Sequence, residues 1–126
     1  MRSTTLRGKI ALVTGAGQNI GRSIALDLAA SGATIVVNGR TNESLVFDTV
    51  KEIEQNGGSA EGVMADISDP DSVQRMMDKT EKEHGGLDIL VCNAGLRRQT
   101  AFLDMSFDEW REILSVALDG AFLLTK

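Results

Sequence analysis

The sequence predicts an α/β fold, a parallel sheet with helices on both faces, and three observations predict it. Short apolar runs alternate with helix-length amphipathic segments along the 126 residues, and glycines punctuate the segment ends. One run, Ile10-Ala11-Leu12-Val13, passes straight into a glycine-rich turn that reopens as a helical pattern. Such alternation with short connections needs right-handed crossovers between parallel strands, which leave helices on both faces.

The strand-like runs cover residues 9–14, 33–38, 59–65 and 87–92. A first helix is predicted over 19–31, where Ile20, Ile24 and Leu28 recur near the helical period, and Gly32 ends it. A second, over 42–56, carries Leu45, Val46, Val50 and Ile53 and stops at Gly57-Gly58. The third, over 69–84, opens at Ser68-Asp69-Pro70-Asp71, with Pro70 suited to a first helical position. It carries Val73, Met76, Met77 and Thr80 on one face and closes at Gly85-Gly86. A last helix begins near Ser106, which has capping-box spacing to Glu109, and runs through Trp110, Ile113, Leu114 and Ala117.

Composition narrows the function classes. A net charge of −5 disfavours nucleic acid and anionic membrane surfaces as partners. No apolar run reaches the roughly 18–20 residues that span a bilayer. The segment Met1-Arg2-Ser3-Thr4-Thr5-Leu6-Arg7 lacks the apolar stretch of a secretory signal. One cysteine, Cys92, cannot form an internal disulfide, which fits a reducing cytoplasm. Residues 1–126 therefore read as one intracellular domain. No His/Cys/Asp cluster shows metal-ligand spacing, so no metal is expected.

The turn Thr14-Gly15-Ala16-Gly17-Gln18-Asn19-Ile20-Gly21 carries the chemistry. Glycines allow a sharp turn and close approach to a pyrophosphate, and the new helix offers free N–H groups and a positive dipole end. The spacing departs from G-x-G-x-x-G, because the third glycine is Gly21 rather than residue 20. T-G-x-x-x-G-x-G fits better, with Asn19 at the middle glycine; asparagine is among the few residues that tolerate positive φ. A turn that merely permits close helix–sheet packing is the plainer alternative. The second strand ends Asn38-Gly39-Arg40 without a carboxylate. An acidic residue there would bind a ribose 2′-hydroxyl, whereas an arginine can hold a 2′-phosphate through paired charge-assisted bonds. NADP is accordingly favoured over NAD. Arg40 as a solvated loop residue neutralised by Glu43 stays open.

With this turn, two further segments resemble the short-chain dehydrogenase/reductase family. Asp66-Ile67 is similar to that family's adenine-contacting aspartate and its neighbour, and Cys92-Asn93-Ala94-Gly95 resembles its N-N-A-G motif, with cysteine first. The stretch 110–123 resembles its long fourth-crossover helix, so the likeness covers essentially the whole chain. Asp66 as a loop cap and residues 93–95 as a turn shaper are the structural alternatives. The resemblance implies a Rossmann-like doubly wound parallel sheet, of which these residues supply the first four strands and their helices. It further implies hydride transfer between a nicotinamide ring and a small-molecule carbonyl or alcohol carbon. Cofactor contacts would fall on Thr14, Gly15, Gly17, Gln18, Asn19, Ile20, Gly21, Arg40, Asp66, Ile67, Asn93, Ala94 and Gly95.

The family's catalytic serine, tyrosine and lysine cannot be placed here: the chain has no tyrosine. The asparagine implied in the last helix falls at Ala117. Other candidates read as structural. His84 is a solvated helix end, Cys92 a small core residue, Met64, Met76 and Met77 core filler, and Arg97 and Arg98 exposed loop arginines or an anion contact. On the resemblance, the chain is the cofactor-binding part of an oxidoreductase, ends before the catalytic strand and helix, and is inactive alone. The fourth strand is then an open edge. Trp110, Ile113, Leu114, Phe122, Leu123 and Leu124 lack cover unless a partner subunit supplies it, as the implied homo-oligomer would. A stand-alone dinucleotide-binding module without catalysis, and a decayed product without a ligand, are the competing readings.

Overall fold

A computed structural model of the chain describes residues 5–126; residues 1–4, part of the segment read as lacking a leader, lie outside the described residues. The order is β1 (Ile10–Val13), α1 (Asn19–Ala30), β2 (Thr34–Gly39), α2 (Glu43–Gln55), β3 (Ser59–Met64), α3 (Pro70–His84), β4 (Ile89–Val91), α4 (Phe107–Leu114) and α5 (Gly120–Thr125). A short 3-10 turn, Phe102–Asp104, precedes α4, and a π-helical turn, Ser115–Asp119, joins α4 to α5.

The four strands form one parallel sheet in the order β3-β2-β1-β4. The period of two along each strand divides the core between its faces. Ala11, Val13, Ile35 and Val37 pack beneath α1 and α2 with Ala25, Val46 and Ile53. Leu12, Val36 and Val63 face the other way, against Val73 and Met76 of α3 and Val116 and Leu124 of the last helix. The sheet is therefore doubly wound and Rossmann-like.

Local chemistry sets the element ends. Asn42, Asp69 and Ser106 cap α2, α3 and α4 by accepting from Leu45, Asp71 and Glu109 N–H groups. Gly85 closes α3 in the left-handed conformation, φ 81°. β4 is shorter than the predicted 87–92 because it pairs on one side only, through residues 89–91 with β1. The last helix departs from a plain α-helix at Gly120, whose N–H donates to Ser115 O across five residues. Full burial begins within the π-helical turn: α4 has no fully buried residue, whereas Val116, Gly120 and Leu124 are buried. Leu124 corrects the expectation of an uncovered residue, since it packs into the α3-side core, and Leu123 lies partly buried beside it. Trp110 and Phe122 are exposed, as are Phe102, Leu103, Phe107 and Leu118. No described helix is long and apolar enough to cross a membrane.

Candidate cofactor site

The chain builds β1, β2 and β3 outward, then crosses back to lay β4 on the other side of β1. The carboxyl end of β1 thus stands at a topological switch point, where open α/β sheets receive ligands. The glycine-rich turn occupies that place.

The turn is held from three sides. From β1 and β4, the fully buried Thr14 accepts the Asn93 and Ala94 N–H groups on Oγ1, each at 3.0 Å. Asn93 Nδ2 donates to the Thr14 and Gly15 carbonyls, both at 3.2 Å. From β2, Asn38 O accepts the Ala16 N–H at 2.9 Å, and its side-chain Oδ1 accepts the Gly15 N–H at 3.4 Å. From α2, buried Thr49 Oγ1 donates toward Ala16 O at 3.1 Å.

Two glycines are required by contact. Gly15 has φ 61°, and a Cβ there would sit 3.0 Å from Ala94 Cα; at Gly21 a Cβ would come within 2.3 Å of Gly15 O and 2.5 Å of Asn93 Nδ2. Gly17 lies against Leu45, with room only for a contact of 3.2 Å. Asn19 takes φ 54°, the left-handed conformation that the middle position of the pattern requires. Gln18, extended at φ −155°, precedes α1 without capping it by its side chain, and the first turn holds no acidic residue. The leading N–H groups of α1 and its positive dipole end thereby remain available to an anion. Ile20 exposes its side chain beside them.

At the β2 and β3 ends, Arg40 Nη2 lies 3.6 Å from Asp66 Oδ2, so its ion-pair partner is Asp66 where Glu43 was the expected neighbour. Half of the Arg40 side chain stays exposed. Asp66 Oδ1 accepts from Ser68 Oγ at 2.6 Å and Ser68 N at 3.0 Å. The Ser68 hydroxyl leads in holding the Asp66 carboxyl below the usual aspartate range; burial opposes it, and the Ser68 amide and Arg40 assist. Because ionisation is favoured in the folded state, its contribution to stability is complete above the ordinary value of about 3.9. It is lost as pH falls through the lowered value. Ser68→Ala is expected to move the Asp66 titration upward, read by NMR of the side-chain carboxyl; an unmoved midpoint would refute the hydroxyl's role.

Other candidate residues are placed as follows. Ile67 is buried, with Gly120 directly against it, so its side chain belongs to the core. Gly95 is exposed, with open space around its Cβ position. Asn38, read from sequence as standing at the ribose end, instead turns its amide into the protein. Cys92 is exposed rather than buried, because the face beyond the short β4 is uncovered. His84 is no solvated helix end: its Nε2 lies 2.9 Å from Glu61 Oε1. Glu61, Glu83 and His84 draw together, and Lys79 Nζ sits 3.2 Å from Glu61 and 2.6 Å from Glu83, which supplies the neutralising charge. Met76 is buried, and Met64 and Met77 are partly so. Arg97 is exposed, and Arg98 pairs with Glu112 at 3.0 Å. Ala117 lies exposed on the π-helical turn. A hollow of about 460 Å³ lined by Leu26, Ile53 and Gly58 lies at the opposite end of α1 and α2, away from the turn.

Thr49 is a site-building residue that motif reading passed over, and Asn38 was weighed only for its lack of charge at the ribose end. Each is a polar residue in an apolar pattern, Asn38 after Ile35-Val36-Val37 and Thr49 beside Val46 and Val50, and that was the available signal.

The sheet order and the glycine turn at its switch point define a Rossmann-like, doubly wound α/β fold. A sequence model of the short chain dehydrogenase family matches residues 9–126, and the chain belongs to that family. It is 41% identical over 128 residues to a short-chain dehydrogenase/reductase of Armillaria gallica, covering 100% of this chain and 49% of that protein. It is 39% identical over 123 residues to a 3-oxoacyl-[acyl-carrier-protein] reductase of Synechocystis, covering 98% and 50%. A metagenomic short-chain oxidoreductase solved in complex with NADP superposes with a TM-score of 0.91 at 33% identity, covering 97% of this chain and 55% of that one. The chain thus spans about half the length of the curated relatives it matches.

Proposed function

We propose that these residues form the cofactor-binding half of an NAD(P)-dependent oxidoreductase, with NADP preferred, acting on a small-molecule carbonyl or alcohol. The observation that carries the reading is the turn itself: Asn19 is left-handed at the middle-glycine position, in front of a helix end that no side chain caps, at the switch point of the sheet. A nicotinamide dinucleotide bound there supplies the hydride chemistry. This chain's residues would bind and orient it. The first N–H groups of α1 would take the pyrophosphate, Asp66 would face the adenine, and Arg40 the 2′-phosphate. The residues after β4, from Asn93 to Gly95, would border the nicotinamide side.

The chain contains no tyrosine, so the groups that move the proton would stand in the half of the relatives' length that it does not span. The 126 residues alone would then bind cofactor without turnover. The exposed Trp110, Leu118 and Phe122 would be covered in a homo-oligomer of the whole protein.

Titration of NADPH and NADH fluorescence tests the reading, and Arg40→Ala tests the preference. A charged hydrogen-bonding contact contributes about 1.5–3 kcal/mol. Arg40→Ala is therefore expected to weaken NADP binding about tenfold to a hundredfold and leave NAD within about twofold. Equal losses for both dinucleotides would refute the arginine's role as the 2′-phosphate ligand.

A further inference from the structure

Asn38 is a buried, charge-free polar side chain at the end of a strand whose preceding residues are apolar, and all of its hydrogen-bonding capacity is turned inward. Its Nδ2 lies 3.2 Å from Val63 O, 3.3 Å from Ala65 O and 3.4 Å from Gly39 O. Its Oδ1 accepts the Gly15 N–H at 3.4 Å, and its main-chain carbonyl accepts the Ala16 N–H at 2.9 Å. Ala65 stands just past Met64, the last residue of β3 in register with β2, so the amide meets a carbonyl where strand pairing has ended. Ala65 is also the residue before Asp66. One side chain therefore connects the first glycine of the phosphate turn to the start of the loop that carries Asp66 and faces Arg40.

Resting on the dinucleotide reading, we propose that Asn38 is a positioning residue that fixes the phosphate turn relative to the Asp66 loop. The two ends of one cofactor are then received at a set spacing. Only a carboxamide offers an acceptor to Gly15 and donors to the β3 carbonyls from a single planar group. Aspartate has the same shape but no donor when ionised, and leucine has neither donor nor acceptor. A small shift between two half-sites penalises a ligand that must touch both, while a ligand that touches one is indifferent to it.

The test compares NADP with 2′-AMP, which reaches only the Asp66 and Arg40 end, on the whole protein and on Asn38→Asp and Asn38→Leu. Titrations are run well below each variant's melting midpoint. The expected result is NADP binding weakened by about tenfold or more, the scale of one buried hydrogen bond, with 2′-AMP changed by less than about twofold. Equal losses for the two ligands, or lower melting with unchanged NADP affinity, would mean a merely structural role and overturn the inference. If neither variant folds, amide exchange on the unmodified protein decides. A Gly15 N–H protected like the β2 ladder supports the Asn38 link, and one that exchanges freely overturns it. An unmodified protein that binds neither NADP nor NAD overturns the dinucleotide reading and this inference together. Binding by the unmodified protein with unaffected variants overturns this inference alone.

Discussion

Gly21→Ala is expected to weaken dinucleotide binding about a hundredfold and to lower stability by about 1–3 kcal/mol, the range for forcing volume into a packed site. A methyl at this position would lie 2.3 Å from Gly15 O, 2.9 Å from Gly15 C and 2.5 Å from Asn93 Nδ2. None of these atoms is the free end of a flexible side chain. Gly15 is main chain in the turn, and Asn93 Nδ2 is held by two carbonyls. Relief requires α1 to retreat from the turn, which moves the helix N–H groups away from the phosphates they would bind. Affinity for NADPH should fall by about two orders of magnitude, since several charge-assisted bonds are lost together. Gly95→Ala is the control. Open space surrounds that Cβ position, so stability should stay within about 0.5 kcal/mol. Thermal melting and NADPH fluorescence titration on both variants decide; a Gly21→Ala protein that binds like the unmodified one would refute the packing argument.

What could be read from the sequence depended on whether the determining interactions were local. Capping is local. Asp69 before Pro70, Ser106 three residues before Glu109, and Gly85 after His84 acted as their spacing required. Asn19 was legible for a related reason: the turn pattern demanded a left-handed residue there, and asparagine adopts φ 54° without needing a distant partner. The parallel sheet and the family followed because alternation, glycine spacing and the segments at Asp66 and Asn93 agreed with one another.

The partners of charged and polar groups were not legible, because register and helix placement decide them. Arg40 has Glu43 three residues away, yet pairs with Asp66, which the β2–β3 register of Gly39 with Met64 brings alongside. His84 meets Glu61 across 23 positions only because α3 lies over the face of β3 that carries Glu61. Cys92 looked like core because it ends an apolar run, but a strand paired on one side runs out of cover before it runs out of apolar residues. Asn38 misled in the opposite direction: polarity at a strand end suggests solvent, and here it serves buried carbonyls.

Thr14→Val is the substitution expected to cost most stability for the least change of shape. The Thr14 hydroxyl oxygen is the acceptor for two successive amides, Asn93 and Ala94, each at 3.0 Å. Its own proton points toward Val91 O at 3.4 Å. Valine keeps the volume and the β-branch, so packing is nearly preserved while both amides lose their acceptor. Each unsatisfied buried donor costs about 1–3 kcal/mol, which gives about 2–4 kcal/mol for the pair after partial relaxation. The loss should be visible because β4 contributes only three ladder residues, so these two bonds share with those of Asn93 Nδ2 the task of securing the chain as it leaves the sheet. Thr14→Ser retains the oxygen and loses one methyl, and should stay within about 1.5 kcal/mol of the unmodified protein. The comparison separates the acceptor from the packing, and urea unfolding at constant m-value reads it. A Thr14→Val protein as stable as the unmodified one would refute the hydrogen-bond argument, because valine keeps the methyl and lacks only the acceptor oxygen. Weakened NADPH binding by valine but not serine, about tenfold, would show that the same oxygen sets the turn against the segment after β4.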